Sequence, residues 1–202
     1  MIRIAALLLL LTAPAHATQD QWPALFDVSG VAADDVLNVR AAPSADAEII
    51  GTLAHDAEGV EIVEPNDRHT WGKVNLGEGP GWVSLAYVTR RPGQWAGAQI
   101  DSASCVGMEP FWDFSFRDDA VTWTTPEESV AGTLLERVHA IGRIGEQALT
   151  FRFDDGQDGV AILRLDQCHD SMSDREYGLS VHIVKGGTDG PALYSGCCNL
   201  VP

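Results

Sequence analysis

The sequence predicts an all-β protein that consists of a small barrel followed by a larger, mainly antiparallel β domain. Short runs of alternating β-prone residues, such as Val60–Val63 and Leu149–Phe153, recur along the chain. Turn signals separate these runs at intervals of roughly 8 to 12 residues, a spacing that favours a barrel or sandwich. The four cysteines then predict that disulfide bonds hold part of this β structure together.

The N-terminus predicts export. Arg3 precedes an unbroken apolar run from Ile4 to Leu11, and Ala15-His16-Ala17 supplies the small residues that signal peptidase requires. We therefore expect residues 1–17 to be a cleaved signal peptide. No second run of about 20 apolar residues follows, so we expect no membrane insertion after cleavage. The predicted location is periplasmic or secreted.

Export determines how the four cysteines are interpreted. In an oxidising compartment an even number of cysteines favours disulfide bonds over thiolate catalysis or metal binding. A direct bond between Cys197 and Cys198 is disfavoured, because a trans peptide directs adjacent side chains to opposite sides of the backbone. Cys105 and Cys168 are therefore expected to pair with these two residues, in either order. No metal site and no cofactor is expected.

The charge of the chain excludes two classes of partner. Lys and Arg number 13 and Asp and Glu number 29, which gives a net charge of −16. A surface this acidic repels nucleic acid and anionic head groups, so we expect neither nucleic-acid nor membrane binding. The acidic residues are dispersed along the chain and indicate a solvated surface.

The first domain is predicted at about residues 24–91. Its strands and turns include "VLNVRAAPSADAEIIGTL", "VEIV", "WGKV" and "GPGWVSLAYV", and these segments resemble a bacterial SH3-like domain along its full length. The resemblance implies a binding module whose ligand is cell-wall peptide or an envelope protein. Trp71, Tyr87, Arg68 and His69 are the candidate ligand-binding residues. For Trp71 and Trp82, filling the core of the small barrel is the favoured alternative.

The second domain is predicted at about residues 101–202 as mainly antiparallel β structure, a barrel or a sandwich. The region from Glu127 to Ile144 is expected to be strand or loop, since Gly132 and Gly142 weaken a helix. The segments "GMEPFWDFSF", "CHDSMSDREYGLSV" and "YSGCC" resemble an uncharacterised family of Gram-negative envelope proteins and lipoproteins. That resemblance implies an envelope location and no defined reaction.

Polar residues in this domain form a second candidate site. They belong to two segments, one beginning the domain and the other following a cysteine: Glu109, Asp170, Ser173, Asp174 and Arg175, together with Trp112. They could form a pocket with a carboxylate base and a guanidinium group. The favoured alternative is that the aspartates cap local turns and Arg175 pairs with a neighbouring carboxylate. Phe111 and Trp112 are expected to pack in the core.

Three functions are consistent with these patterns. The first is a non-enzymatic cell-envelope binding protein that recognises peptidoglycan peptide or an envelope protein. The second is an envelope hydrolase, which requires that Glu109, Asp170 and Arg175 share one open pocket. The third is thiol-redox chemistry at Cys197 and Cys198, which requires at least one free thiol. The first is the predicted function, and no catalytic residue is assigned.

Overall fold

The computed structural model describes residues 19–187 and 190–202 of the chain. The predicted signal peptide, residues 1–17, lies outside the described residues. Within the described part, the only helical segment is a short 3₁₀ turn at Leu85–Tyr87, and all other regular elements are strands. No helix in this part is long and apolar enough to cross a membrane. The prediction of an all-β fold is confirmed.

The N-terminal strands form two small sheets. They are β1 (Ala24–Val28), β2 (Val36–Arg40), β3 (Ile49–Ala54), β4 (Val60–Ile62), β5 (Glu64–Pro65), β6 (Trp71–Leu76), β7 (Gly79–Ser84) and β8 (Val88–Arg90). One sheet has the order β4-β1-β8, and the other has the order β3-β2-β7-β6-β5. Alternate residues of β1 and β2 point inward, as the period of two in a half-buried strand requires.

The buried side chains between these two sheets are aliphatic apart from Phe26, and the partly buried Trp22 ring stacks on Phe26. The buried residues of this core include Phe26, Val39, Ile62, Val74 and Val83. The expectation that two tryptophans fill this core is wrong, because Trp71 and Trp82 are both partly exposed. The aliphatic side chains of neighbouring strands already fill the small interior, so the larger indole rings lie at its surface.

The C-terminal strands form a closed eight-stranded antiparallel barrel. They are β9 (Ser102–Gly107), β10 (Trp112–Arg117), β11 (Ala120–Thr124), β12 (Ser129–His139), β13 (Glu146–Phe153), β14 (Asp158–Cys168), β15 (Tyr177–Lys185) and β16 (Ala192–Leu200). Each strand pairs with the next one in the chain, and β16 pairs with β9 to close the barrel. Closure leaves no free sheet edge.

Aromatic rings fill the barrel interior. Trp112 stacks on Trp123 at a centroid distance of 5.0 Å, and Phe114 lies 5.1 Å from Phe151. Trp112 is only 3% exposed, which confirms that it packs in the core. Phe111 is 51% exposed, so the corresponding expectation for Phe111 is wrong. Trp112 begins β10 at an inward-facing position, whereas Phe111 lies in the turn just before the strand and is exposed there.

The region from Glu127 to Ile144 contains the long strand β12, as the strand alternative predicts. Gly132, which weakens a helix, has a specific role in this strand. A Cβ atom at this position would lie 2.5 Å from the Arg152 carbonyl oxygen and 2.8 Å from the Phe153 Cα atom. Glycine therefore permits a close approach of β12 and β13 that a side chain would prevent.

Two disulfide bonds stabilise the barrel near its closure. Cys105 of β9 bonds to Cys198 of β16, and these residues also face each other in the strand pairing. Cys168, at the end of β14, bonds to Cys197. Disulfide bonding is therefore confirmed, and the structure decides the pairing that the sequence left open. Both bonds connect elements distant in sequence, so they reduce the conformational freedom of the unfolded chain.

Candidate functional site

A groove on the N-terminal module, which is the pair of small sheets formed by β1–β8, brings together two of the predicted ligand-binding residues. It has a volume of about 520 Å³. Trp71 and Tyr87 both line it, and Tyr87 is 46% exposed. The remaining lining residues come from β2, the loops near it and the end of β7: Gly30, Val31, Ala32, Asp35, Val36, Leu37, Asn38, Arg40, Ala45 and Ser84.

Local hydrogen bonds position the two aromatic side chains. The Asn66 side-chain oxygen accepts from the backbone N–H of Thr70 at 2.9 Å and of Trp71 at 3.1 Å. This arrangement braces the loop from which Trp71 emerges. Tyr87 ends the 3₁₀ turn, and its carbonyl accepts from the Ser29 N–H at 2.9 Å. Both rings are therefore attached to ordered backbone, which lowers the entropy cost of binding.

The contribution of β2 to this groove was not predicted from the sequence. Val36, Asn38 and Arg40 lie on the outward face of the strand, two residues apart, while Leu37 and Val39 are buried. The alternation in "VLNVR" could have identified this face, since side chains at i, i+2 and i+4 share one side of a strand. Arg40 donates to the Ala47 carbonyl at 2.6 Å, which fixes its guanidinium beside the groove.

The other two predicted ligand-binding residues lie elsewhere. Arg68 and His69 are exposed at the tip of the loop between β5 and β6, and His69 has a left-handed φ of 53°. Among the residues that the structure describes, neither belongs to the lining of the groove. Trp82 also lies apart from it, with the Lys73 ammonium 5.2 Å from its ring centroid.

Four of the candidate residues of the second domain lie in the loop between β14 and β15, residues 169–176, which is held by its own hydrogen bonds: Asp170, Ser173, Asp174 and Arg175. The Asp170 carboxylate accepts from the backbone N–H groups of Met172 and Ser173 at 3.0 and 2.9 Å. It also accepts from the Ser173 hydroxyl at 2.7 Å and the Tyr177 hydroxyl at 3.0 Å. Burial alone would raise the pKa of Asp170, but these hydrogen bonds lower it to about 2. The carboxylate thus acts as an acceptor that organises the loop.

The end of the β14–β15 loop docks onto the N-terminal module. Arg175 donates to the Gly77 carbonyl at 2.9 Å. The Asn75 side chain bonds both backbone groups of Glu176, donating to its carbonyl at 2.8 Å and accepting from its N–H at 3.0 Å. The side-chain amide of Asn75 thus satisfies both backbone groups of Glu176, as the backbone of a neighbouring strand would. The loop therefore connects the two domains.

A part-buried ion cluster strengthens this connection. The Lys73 ammonium, whose side chain is 12% exposed, lies 2.6 Å from both the Glu64 and the Glu176 carboxylate. Burial alone would lower the pKa of Lys73, but its bonds to Glu176 and Glu64 raise it. Gln167 of the barrel also donates to Glu64 at 2.9 Å. The sequence did not identify this cluster, because the contacts that join the two domains, Lys73–Glu176 and Gln167–Glu64, each span 103 positions.

Glu61 is a second interdomain contact that sequence reasoning missed. Its carboxylate accepts from the Leu200 backbone N–H at 2.7 Å. Burial raises the pKa of Glu61 to about 7, although the bond from Leu200 opposes this change. Glu61 and Arg175 line one depression between the domains.

The polar residues do not converge on one pocket. Asp170 lines a depression with His182 and Ser195, whereas Arg175 lines the interdomain depression beside Glu61. Within the described part of the chain, Glu109 lines neither of them and is exposed in the turn between β9 and β10.

The other two candidates are also engaged elsewhere. Asp174 lies beside Gly79 of the N-terminal module, and the buried Trp112 ring is inside the barrel. The arrangement that a hydrolase requires is therefore not assembled from these residues.

The cysteines have no free thiol, because all four form disulfide bonds. A redox site in which Cys197 or Cys198 supplies the attacking thiol requires a free thiol. Each of these residues instead bonds to a different strand. Among the described residues, no group of three or more His, Cys, Asp or Glu side chains is arranged to hold a metal ion.

Comparison with known proteins identifies the family of the module that carries the groove. No curated protein and no solved structure gives a significant match to the chain. The resemblance of residues 101–202 to an envelope family stays a prediction. Residues 35–89 match the family model described as the bacterial SH3 domain. The groove formed by Trp71 and Tyr87 therefore lies on a bacterial SH3 domain.

Proposed function

We propose that this protein is an exported cell-envelope binding protein that holds an extended segment of cell-wall peptide in the groove of its SH3 domain. The observation that carries the proposal is the presence of Trp71 and Tyr87 on one open groove of about 520 Å³. Cell-wall binding is consistent with the bacterial SH3 family. A groove of this volume lies within the range typical of ligand sites, about 300 to 1,000 Å³.

The chemistry of the groove suits a peptide. The planar rings of Trp71 and Tyr87 offer contact area to a peptide backbone at low entropy cost. Arg40 supplies a guanidinium for a carboxylate, and Asp35 supplies a carboxylate for an amine. Cell-wall peptides carry both groups. A polyanionic ligand would be repelled by a chain with a net charge of −16.

The disulfides and the SH3 match indicate an extracytoplasmic protein. Within that class we propose a periplasmic location, which the predicted signal peptide at residues 1–17 supports. Binding is favoured over hydrolysis because Glu109, Asp170 and Arg175 occupy separate places.

A cell-wall pulldown with groove variants tests this proposal. The variants are Trp71→Ala and Tyr87→Ala in the full-length exported protein, measured by retention on purified peptidoglycan. An aromatic anchor typically contributes about 2 kcal/mol, so each variant should bind about thirtyfold more weakly. Trp95→Ala is the matched control, because Trp95 is 48% exposed and lies outside the groove in the described structure.

Two results would count against the groove. Unchanged retention of both groove variants would show that the peptide binds elsewhere or not at all. Equal loss for Trp95→Ala would show that aromatic exposure in general, rather than this groove, causes retention. A circular dichroism spectrum identical to that of the unmodified protein establishes that each variant has folded.

A further inference from the structure

The two disulfides differ in their access to solvent. Cys105 and Cys198 are both 0% exposed, so their sulfurs are sealed within the barrel wall. Cys197 is 2% exposed, but its partner Cys168 is only partly buried. Thiol–disulfide exchange requires a thiolate to reach a sulfur atom. The Cys168–Cys197 bond should therefore react with an external thiol more readily than the Cys105–Cys198 bond.

The accessible bond opens onto a depression in the outer barrel surface. Cys168 and Cys197 both line it, and its volume is about 280 Å³. His169, His182 and Ser195 form part of the same lining. Residue Cys168 is thus partly open to solvent in the folded barrel, and this depression is the side from which an attacking thiol would approach.

The same bond anchors the segment that connects the domains. Cys168 directly precedes the β14–β15 loop and bonds it to β16. At the other end of the loop, Arg175 and Glu176 contact the SH3 domain at Gly77 and Asn75. Cutting the Cys168–Cys197 bond removes the covalent link between this end of the loop and β16. The strand pair Cys168–Tyr177 and the hydrogen bonds of Asp170 then hold it. The docking contacts then depend on a less constrained segment.

We propose that Cys168–Cys197 is a site of thiol–disulfide exchange with an external dithiol, and that its reduction weakens the docking of the SH3 domain onto the barrel. A thiolate of the dithiol attacks the Cys168 sulfur, the Cys168–Cys197 bond breaks, and Cys197 leaves as a thiolate that takes up a proton. The second thiol of the reagent then displaces Cys168, which also takes up a proton. The protein disulfide gains two electrons, and the dithiol is oxidised to its own disulfide.

Graded reduction of the folded full-length protein with dithiothreitol tests the first half of this proposal. Free thiols are alkylated at each concentration and located by peptide mapping. Cys168 and Cys197 should be labelled at dithiothreitol concentrations at least about tenfold lower than those that label Cys105 and Cys198. Simultaneous labelling of all four cysteines would overturn the proposal, because it would show that reduction requires opening of the barrel.

Amide hydrogen exchange of the selectively reduced protein tests the second half. The Glu176 amide, which donates to Asn75, should exchange at least about tenfold faster after reduction. The amide of Val181 in the central part of β15 should keep its protection, which shows that the barrel is intact. Unchanged exchange at Glu176 in protein labelled at Cys168 and Cys197 would refute the coupling.

A variant provides an independent measurement without reductant. The double substitution Cys168→Ser and Cys197→Ser removes the accessible bond while Cys105–Cys198 remains. It should reproduce the faster exchange at Glu176. Asn75→Ala is the matched comparison, because it removes the docking contact directly and should speed exchange at Glu176 with both disulfides intact. Protection at Glu176 in the double variant equal to that of the unmodified protein would contradict the proposal.

Discussion

Replacing Asp170 by Asn should destabilise the protein at neutral pH and have no effect in strong acid. The Asp170 carboxylate accepts four hydrogen bonds within its loop. A pKa that falls from 3.8 to about 2 corresponds to about 2.4 kcal/mol before screening by solvent. Because the carboxylate is partly exposed, we expect about 1 to 1.5 kcal/mol. Asn keeps an acceptor oxygen for the two backbone N–H groups but replaces the oxygen that accepts from Ser173 and Tyr177 with an N–H donor. The substitution therefore removes the charge together with these two acceptor contacts.

The pH dependence of this difference follows from the direction of the pKa change. A carboxyl group whose pKa is lower in the folded state contributes its full stabilisation above its unfolded pKa, near 4. That stabilisation is lost as the pH falls from about 4 through the folded value of about 2. The free energies of unfolding of the two proteins should therefore differ at pH 7 and converge near pH 2.

Urea denaturation at pH 7, 4 and 2 measures the difference. Fluorescence of the buried Trp112 and Trp123 reports unfolding of the barrel. Asp174→Asn is the matched control, since it removes a carboxylate from the same loop, and it should change stability by less than about 0.5 kcal/mol. A difference for Asp170→Asn that is absent at pH 7, or that persists undiminished at pH 2, would refute the reasoning.

Three further substitutions test the interface and the barrel. Lys73→Met leaves the carboxylate of Glu176 without its cation and should cost about 1 to 2 kcal/mol, measured by urea denaturation. Gly132→Ala places a Cβ 2.8 Å from the Cα of Phe153 and should cost about 2 kcal/mol in the same assay. Glu61→Gln should stabilise the protein more at pH 8 than at pH 5. Its pKa of about 7 means that ionisation between these values disfavours folding.

Each of these predictions has a result that contradicts it. Lys73→Met with unchanged stability would show that solvent already screens the cluster. Gly186→Ala is the control for Gly132→Ala, since the nearest atom to its added Cβ would lie 3.9 Å away. An equal effect of the two glycine substitutions would refute the close-approach argument. A stability difference for Glu61→Gln that is the same at pH 5 and pH 8 would show that Glu61 titrates normally.

The strands could be predicted from the sequence because alternation is a local property. The residues of β10 and β13 alternate between buried and exposed positions as their sequences require. The SH3 domain could also be recognised locally, from segments that succeed one another within residues 35–89. The closure of the second domain into a barrel could not be predicted from local sequence. It depends on pairing between β9 and β16, which lie about 90 residues apart.

The candidate sites depended more strongly on tertiary structure. Trp71 had two interpretations, core or groove, and only the packing of neighbouring aliphatic side chains left its ring at the surface. Arg175 was expected to pair with a neighbouring carboxylate, but it donates to Gly77 of the other domain. A side chain at the end of a loop can reach any surface that folding brings near it, and the sequence does not specify which surface that is.

By itself, the sequence determined that this protein is all-β, that it contains a bacterial SH3 domain, which the family model matches at residues 35–89, and that its cysteines form disulfides. Each of these follows from residue type, period and order along the chain. Tertiary structure alone decided which cysteines pair and that the polar β14–β15 loop joins two domains. These features join residues that are far apart in the chain, so they are set by three-dimensional packing and leave no local pattern.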